Sequence, residues 1–467
     1  MTPVFRSPNS TAQRQPIHID AGLSERRSAI SHGLEPLLAA LAFAVIVTCS
    51  RPGVQKVTDA AEQKASVPST GSAQTTTTRA GRGAPSVARA PAAESAVPPN
   101  DKRVELRQPQ GLTQWRVAFQ QLALGQRKES VRVLWFGDSH TAADYFPNAI
   151  RKQLTTQVPL GGPGYIGLGI PGYRHGMAKV WSEGNIEISP HPPARRGREE
   201  DGVFGLGGMR ATLRDATAFL TAKAVVASAA VLKCELTYRL ASDSDALRVT
   251  AVDQRFELTS SAKSPMSGGL GQLRFSVKGD TTVEIRALRG KPQVFGLVME
   301  TELPGLVVDT LGINGARFGT LLAWQEEAHS LLVEQRHPAL VVVAYGTNEV
   351  FDLEPVERHA RRLEEVVLRL RRSAVDASCL VVGPTDAGKG GDSARSRVGA
   401  MDAAERSTAE RNGCAYFSPF ELMVSEGGFD GWARQEPPLA LSDGIHLSAR
   451  GYGRLGEALA LLLRADN

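Results

Sequence analysis

The chain has 467 residues, an ordinary apolar fraction of 42% and few aromatics, too long for one core and consistent with two domains plus unstructured segments. Most of its formal charge of +5 resides in the first hundred residues, which hold 10 Lys and Arg against 6 Asp and Glu, leaving 44 against 43 for the remainder. A near-neutral folded part with no basic run or nucleic-acid motif after Asp101 argues against nucleic acid as a partner.

In chain order, Arg26 and Arg27 precede an apolar run from Leu37 to Thr48 that ends at Cys49. The run is short for a membrane span and the right length for a signal-peptide core. The stretch VIVTCS resembles a bacterial lipobox, which makes Cys49 the candidate lipidation site, although Thr48 stands where Gly or Ala is usual. An uncleaved signal anchor is the alternative. Both place the folded part outside the cytoplasm, tethered to a membrane, so residues 1–49 are assigned as the address. Residues 50–100 collapse to Ala, Pro, Ser, Thr and Gly and cannot bury enough apolar surface to offset the entropy of ordering them, so a disordered tether is expected.

Helical spacing of apolar residues covers Leu112 to Leu124, Gly125 breaks it, and VRVLWF at Val131 to Phe136 reads as a buried strand. From Gly161 the texture changes. AVLKCELTYRL, DALRVTAVDQRFELTSS, GQLRFSVKGDTTVEIRAL and QVFGLVMET alternate apolar and polar residues between Gly, Ser and Asp turns, an antiparallel pattern. Residues 161–303 are therefore read as an inserted β-sandwich. The segment GGPGYIGLGIPGYRHG at its start is too glycine-rich for a regular element, and serves either as connector or as substrate-facing loop. After Asp309 helices alternate with short buried strands: helix around Leu321 to Gln335, strand Ala339 to Ala344, helix around Glu354 to Arg372, strand Cys379 to Val382, helix around Ala394 to Arg411, strand Cys414 to Phe417, and a final helix from Ala449 to Leu463. That alternation predicts a parallel sheet covered on both faces, a three-layer α/β/α domain built from residues 101–160 and 304–467.

The first strand delivers Gly137-Asp138-Ser139-His140 at its carboxyl end, the side on which open α/β sheets bind ligands. A serine becomes a nucleophile only when an oriented base takes its proton. LSDGIHLS supplies one: Asp443 and His446 lie three residues apart on a loop before the last helix, so the carboxylate can turn back onto the imidazole. Oxyanion donors are also required. Asn348, in YGTNE after a buried strand, can donate through its amide; Gly315, in GINGARF, through a backbone N–H that no Cβ obstructs; and the Ser139 N–H completes the set.

Four ordered blocks, Gly137-Asp138-Ser139-His140, Asn314-Gly315, Gly346-Thr347-Asn348 and Asp443-Gly444-Ile445-His446, resemble the signature blocks of the SGNH (GDSL-type) hydrolase superfamily. The resemblance covers roughly Val131 to Tyr145 and Asp309 to the end. It implies a five-stranded parallel sheet, a Ser139–His446–Asp443 triad, and oxyanion donors on Ser139, Gly315 and Asn348. The order of the parts, GDSHTAADYF and the inserted β module are most similar to peptidoglycan O-acetylesterases of Gram-negative bacteria, whose insert resembles a carbohydrate-binding module. The expected activity is removal of O-acetyl groups from an extracytoplasmic polysaccharide, peptidoglycan first, through an acyl-enzyme. A monomer acting without cofactor or metal is expected. The alternatives are a glycan-binding lipoprotein with a retired hydrolase domain, a lipid or other acyl-ester hydrolase, and an acyltransferase.

Other residues read as structure. His140 lacks a carboxylate at comparable spacing and is assigned to the loop, and Asp138 to fixing the turn. His175 and His191 have no ligand partners at metal spacing. His329 and His337 read as a solvated face, and EPVERHARRLEEVVLRLRRS as a surface helix. Cys379 and Cys414 read as small buried hydrophobes and Cys234 as a further unpaired thiol, with no disulfide framework.

Overall fold

A computed structural model describes residues 107–191, 201–260, 266–352 and 354–464; Cys49, the apolar run before it and the Ala/Pro/Ser/Thr segment lie outside them. The first helix, α1 (Thr113–Ala123), buries Trp115, Ala118, Phe119 and Leu122, the i, i+3, i+4, i+7 stripe its spacing demands. Strand β1 (Val131–Gly137) follows, then the single turn α2 (Ser139–Ala142) and the helix α3 (Tyr145–Leu154).

The next eleven strands form two antiparallel sheets. They are β2 (Gly164–Ile166), β3 (Ala178–Glu183), β4 (Ile186–Ser189), β5 (Arg210–Leu213), β6 (Phe219–Ala224), β7 (Val231–Arg239), β8 (Ala246–Ala251), β9 (Gln254–Thr259), β10 (Gly271–Lys278), β11 (Thr282–Arg289) and β12 (Gln293–Thr301). One sheet runs β10-β7-β12-β5-β4 with β2 also on β12, and the other β3-β6-β11-β8-β9. Alternation decides their facing: in β11, Val283, Ile285 and Ala287 are buried, and they meet Leu220, Leu236 and Leu297 in a core of their own.

The chain then returns to α/β order with β13 (Leu306–Gly312), α4 (Phe318–Leu322), α5 (Glu326–Arg336), β14 (Leu340–Ala344), α6 (Val356–Ser373), β15 (Ser378–Val382), α7 (Gly391–Arg411), β16 (Ala415–Phe417), α8 (Pro419–Ser425), α9 (Gly428–Ala433) and α10 (Ala449–Arg464). These strands and β1 make a five-stranded parallel sheet in the order β13-β1-β14-β15-β16. Side chains alternate across it: Val133, Trp135, Val342 and Leu380 join α1, α3 and α10 in one core, while Leu134, Phe136, Val343 and Val381 join α4, α5 and α6 in the other. Burial on both faces explains why these strands are continuous apolar runs. Chain order reverses at β1, so the crevice outside its carboxyl end, between β1 and β14, is the topological switch point.

Several expectations are corrected. Cys379, in β15, and Cys414, just before β16, form a disulfide with a Cα–Cα distance of 4.6 Å; their parallel strands pair side by side, a proximity that a sequence separation of 35 conceals. The helix expected over Leu321 to Gln335 is two helices, because the Gln325 N–H leaves the helical ladder to donate to Gly202 O at 2.8 Å. The glycine-rich segment is not all loop: β2 pairs with β12. A Cβ on Gly164 would fall on the Asp309 carboxylate, so glycine there lets the Tyr165 N–H reach Asp309 Oδ1 at 2.7 Å. His337 is exposed, but His329 is buried against Phe136 and Trp324. Helix α6 also turns inward at His359, whose ring meets Glu405 at 2.7 Å.

Asp309 is the centre of a buried ionic seam between the antiparallel sheets and the parallel one. Arg336 of α5 donates to Asp309 at 2.8 and 3.1 Å and to Glu300 of β12 at 2.5 Å. Arg132 of β1 adds two bonds to Glu300 at 2.8 Å. The carboxylates thus compensate charges that would be costly to bury alone.

Candidate active site

Ser139 stands where β1 ends and α2 begins, at the switch point. The preceding Gly137 is obligatory for packing: a Cβ there would overlap the Thr141 hydroxyl and the Ala344 carbonyl. Asp138 caps the turn, its Oδ1 accepting the His140 N–H at 2.9 Å. The serine is thereby fixed on a central, buried strand.

His446 Nε2 lies 2.9 Å from Ser139 Oγ, and His446 Nδ1 donates to Asp443 Oδ2 at 2.7 Å. Asp443 Oδ1 accepts the Ile445 and His446 amides, each at 2.9 Å, so the carboxylate organises the loop as well as the ring. The limited burial of Asp443 opposes its ionisation, but the His446 ring and these amides outweigh it and hold the carboxyl below its ordinary range. The loop is closed by Leu441 N–H on His446 O, and braced by the Gly388 and Lys389 N–H groups on Gly444 O. Asp443 stays 47% and His446 35% exposed, so the site is a shallow surface crevice.

Gly315 follows β13 with a left-handed φ of 78°, and Asn348 follows β14. Asn348 Nδ2 donates to Ala316 O at 3.0 Å and lies 3.4 Å from Asp138 Oδ2. Loops from three neighbouring strands, β13, β1 and β14, thus bring Gly315, Ser139 and Asn348 to one end of the sheet.

Residues 278–454 match the model of the GDSL-like lipase/acylhydrolase family. The α/β/α fold and the site geometry agree with that match. The matched segment is similar to GDSL-type (SGNH) hydrolases and supports a carboxylic ester hydrolase. The matched segment starts within the antiparallel strands and omits Ser139, since the insert separates the nucleophile block from the other three. Among solved structures, a peptidoglycan O-acetylesterase superposes with a TM-score of 0.63 at 24% identity, covering 75% of this chain and 97% of that one. A lipase/acylhydrolase from Enterococcus faecalis is 20% identical over 34% of this chain and 76% of its own, with a TM-score of 0.28. The acetylxylan esterase Axe2 from Geobacillus stearothermophilus is 20% identical over 35% of this chain and 74% of its own, with a TM-score of 0.29. No curated protein matches the sequence.

His140 is not a loop residue. It lies buried in α2, its Nδ1 2.9 Å from the Tyr452 hydroxyl and its ring 5.4 Å from that of His446. Burial, reinforced by the His446 charge, pushes His140 down to about 3, so it is a neutral ring behind His446. Burial also pushes Asp138 up to about 7, against the His140 amide.

The sequence reading missed the groups that join the loops carrying Gly315 and Asn348. Arg317 pairs with Asp352 at 2.8 and 3.0 Å and donates to Gly315 O at 2.9 Å and Asn348 O at 3.3 Å. Glu349 Oε1 accepts the Phe318 N–H at 2.9 Å. Their only sequence signal was position: Arg317 stands two residues after Gly315, and Glu349 and Asp352 one and four after Asn348.

Proposed function

We propose that this hydrolase is a serine esterase that removes O-acetyl groups from an extracytoplasmic polysaccharide, with peptidoglycan as the first candidate. The observation that carries the proposal is the continuous chain from Ser139 Oγ through His446 to Asp443, with links of 2.9 and 2.7 Å. In this reading His446 Nε2 takes the Ser139 proton as Oγ attacks the acetyl carbonyl. Asp443 holds the ring tautomer and stabilises the imidazolium. The Ser139 and Gly315 N–H groups and the Asn348 amide receive the negative charge on oxygen. His446 then protonates the departing sugar alkoxide, and water activated by the same ring clears the acyl-enzyme, restoring Ser139 and releasing acetate.

A triad half open to solvent suits an ester displayed on a polymer better than a long acyl chain that needs an enclosing apolar cavity. The peptidoglycan O-acetylesterase of the same fold, 97% of whose length is covered by 75% of this chain, supports the choice of glycan by analogy. The run ahead of Cys49 and the Cys379–Cys414 disulfide support an oxidising, extracytoplasmic compartment reached through a lipidated or anchored N-terminus. The test is acetate release from O-acetylated peptidoglycan by the full chain in mild detergent, beside Ser139→Ala. Release that vanishes in the variant is the expected result. Ser139-dependent cleavage of a small acetyl ester without release from peptidoglycan would discard the substrate, and release unaffected by Ser139→Ala would discard the mechanism.

A further inference from the structure

We infer that Arg317, anchored on Asp352, is a positioning residue that locks the two oxyanion loops of this esterase into one rigid unit; the inference rests on the proposed roles of Gly315 and Asn348. The loops leave different strands, β13 and β14, which pair with β1 on opposite sides and not with each other. Arg317 links them. Its guanidinium grips the Asp352 carboxylate with Nε at 2.8 Å and Nη2 at 3.0 Å, a two-pronged pairing that fixes the plane of the head group. The fixed plane then aims Nη1 at the Gly315 carbonyl, 2.9 Å away, and Nη2 at the Asn348 carbonyl, 3.3 Å away. One side chain therefore holds the main chain of both donor residues, and its charge is neutralised by Asp352 rather than offered to substrate.

Two further bonds fasten the same loops, Asn348 Nδ2 to Ala316 O at 3.0 Å and Phe318 N–H to Glu349 Oε1 at 2.9 Å. They fix the Asn348 side chain and the start of α4. Neither restrains the Gly315 peptide, which glycine leaves freer than any other residue type would. Among the described residues Arg317 is the side chain that does, and it is only 20% exposed, with Asp352 at 14%. Oxyanion stabilisation depends on donors already in place when charge develops, and misplacement by an ångström costs on the order of a hundredfold. A clamp at Gly315 and Asn348 acts on that placement and leaves the ground-state affinity for the ester nearly unchanged.

The experiment is steady-state kinetics on a small acetyl ester with the full chain in mild detergent, comparing Arg317→Lys, Arg317→Met, Asp352→Asn and Ser139→Ala, with thermal midpoints measured alongside. Lysine keeps the charge but cannot make the fork. Arg317→Lys is expected to lower kcat by roughly ten- to a hundredfold, with KM within about twofold and a thermal midpoint near that of the parent. Asp352→Asn is expected to lower kcat as well, and the double variant Arg317→Lys with Asp352→Asn to lose little more than the worse single change, as members of one unit do. A kcat for Arg317→Lys within twofold of the parent overturns the inference, as does a loss confined to KM or one that tracks a collapse of the thermal midpoint. Should Arg317→Met fail to fold, Arg317→Lys and Asp352→Asn carry the decision. If Ser139→Ala retains activity, the proposed esterase mechanism itself has failed; if only Arg317→Lys is silent, the clamp alone has failed.

Discussion

The Tyr452 hydroxyl lies 2.9 Å from His140 Nδ1, and the rings of His140 and His446 are 5.4 Å apart, so a neutral histidine backs the one that faces the serine. Because burial and the His446 charge hold His140 at about 3, its ring carries no proton change across neutral pH. Tyr452→Phe deletes the hydrogen bond and leaves a buried ring nitrogen short of a partner, which costs about 1–3 kcal/mol of stability. Activity should fall less than about tenfold, since no reacting atom loses a contact. The pH dependence of kcat/KM should keep its shape. A new ionisation in the profile of Tyr452→Phe would show that His140 takes part in the proton transfer.

Asn348→Ala tests the oxyanion role separately from the triad. Loss of one preorganised donor lowers kcat by about a hundred- to a thousandfold in serine hydrolysis, and the same range is expected here, with KM little changed. The variant also loses the bond to Ala316 O, worth about 1 kcal/mol, so a denaturant midpoint measured beside the kinetics separates the effects. Ser139→Ala should fall below Asn348→Ala, because nucleophilic attack is then gone altogether. Equal kcat for Asn348→Ala and the parent would remove Asn348 from the site.

What the sequence made legible follows from what its periodicities record. Strands buried on both faces are apolar throughout, so β1, β14 and β15 stood out, and the antiparallel strands betrayed themselves by alternation. The Ser139–His446–Asp443 arrangement could be anticipated because Asp443 and His446 are local to one loop and Ser139 ends the first strand. Contacts made across the fold leave no such trace. Cys379 and Cys414 meet only because β15 and β16 pair, His329 is buried only because Trp324 and Phe136 close over it, and Asp309 reads as an ordinary strand residue until Arg336, Glu300 and the Tyr165 amide converge on it. The break between α4 and α5 is of the same kind, since its cause is a carbonyl from Gly202.

The Cys379–Cys414 disulfide closes a loop of 35 residues, for which the chain-entropy estimate is about 3–4 kcal/mol of stability at most. The double variant Cys379→Ala, Cys414→Ala should unfold at a lower urea midpoint by up to that amount. The catalytic loops are tied by other bonds, so its kcat should stay within about threefold of the parent under native conditions. Thiol titration of the denatured parent, before and after reduction, checks the premise: two further thiols should appear on reduction, and their presence beforehand would show that the bridge is not formed.

The ionic seam makes a signed prediction about acid. Burial opposes ionisation of Glu300, but Arg336 and Arg132 outweigh it and hold the carboxyl at about 2. In the unfolded chain the same group titrates near its ordinary value of about 4.3. A depressed folded value means the unfolded state takes up the proton first, so the stabilisation is complete above about pH 5 and is lost as pH falls through about 4 toward 2. The contribution is on the order of 3 kcal/mol. Glu300 belongs to β12 of the antiparallel sheets, while its partners Arg132 and Arg336 lie on β1 and α5 of the α/β layers, so acid should weaken the junction between the two. Urea unfolding at pH 7, 4 and 3 should show the parent losing stability over that window. Glu300→Gln should be less stable at pH 7 and should lose less on acidification. Parallel pH dependences for parent and variant would mean that Glu300 is not the group whose protonation loosens the seam.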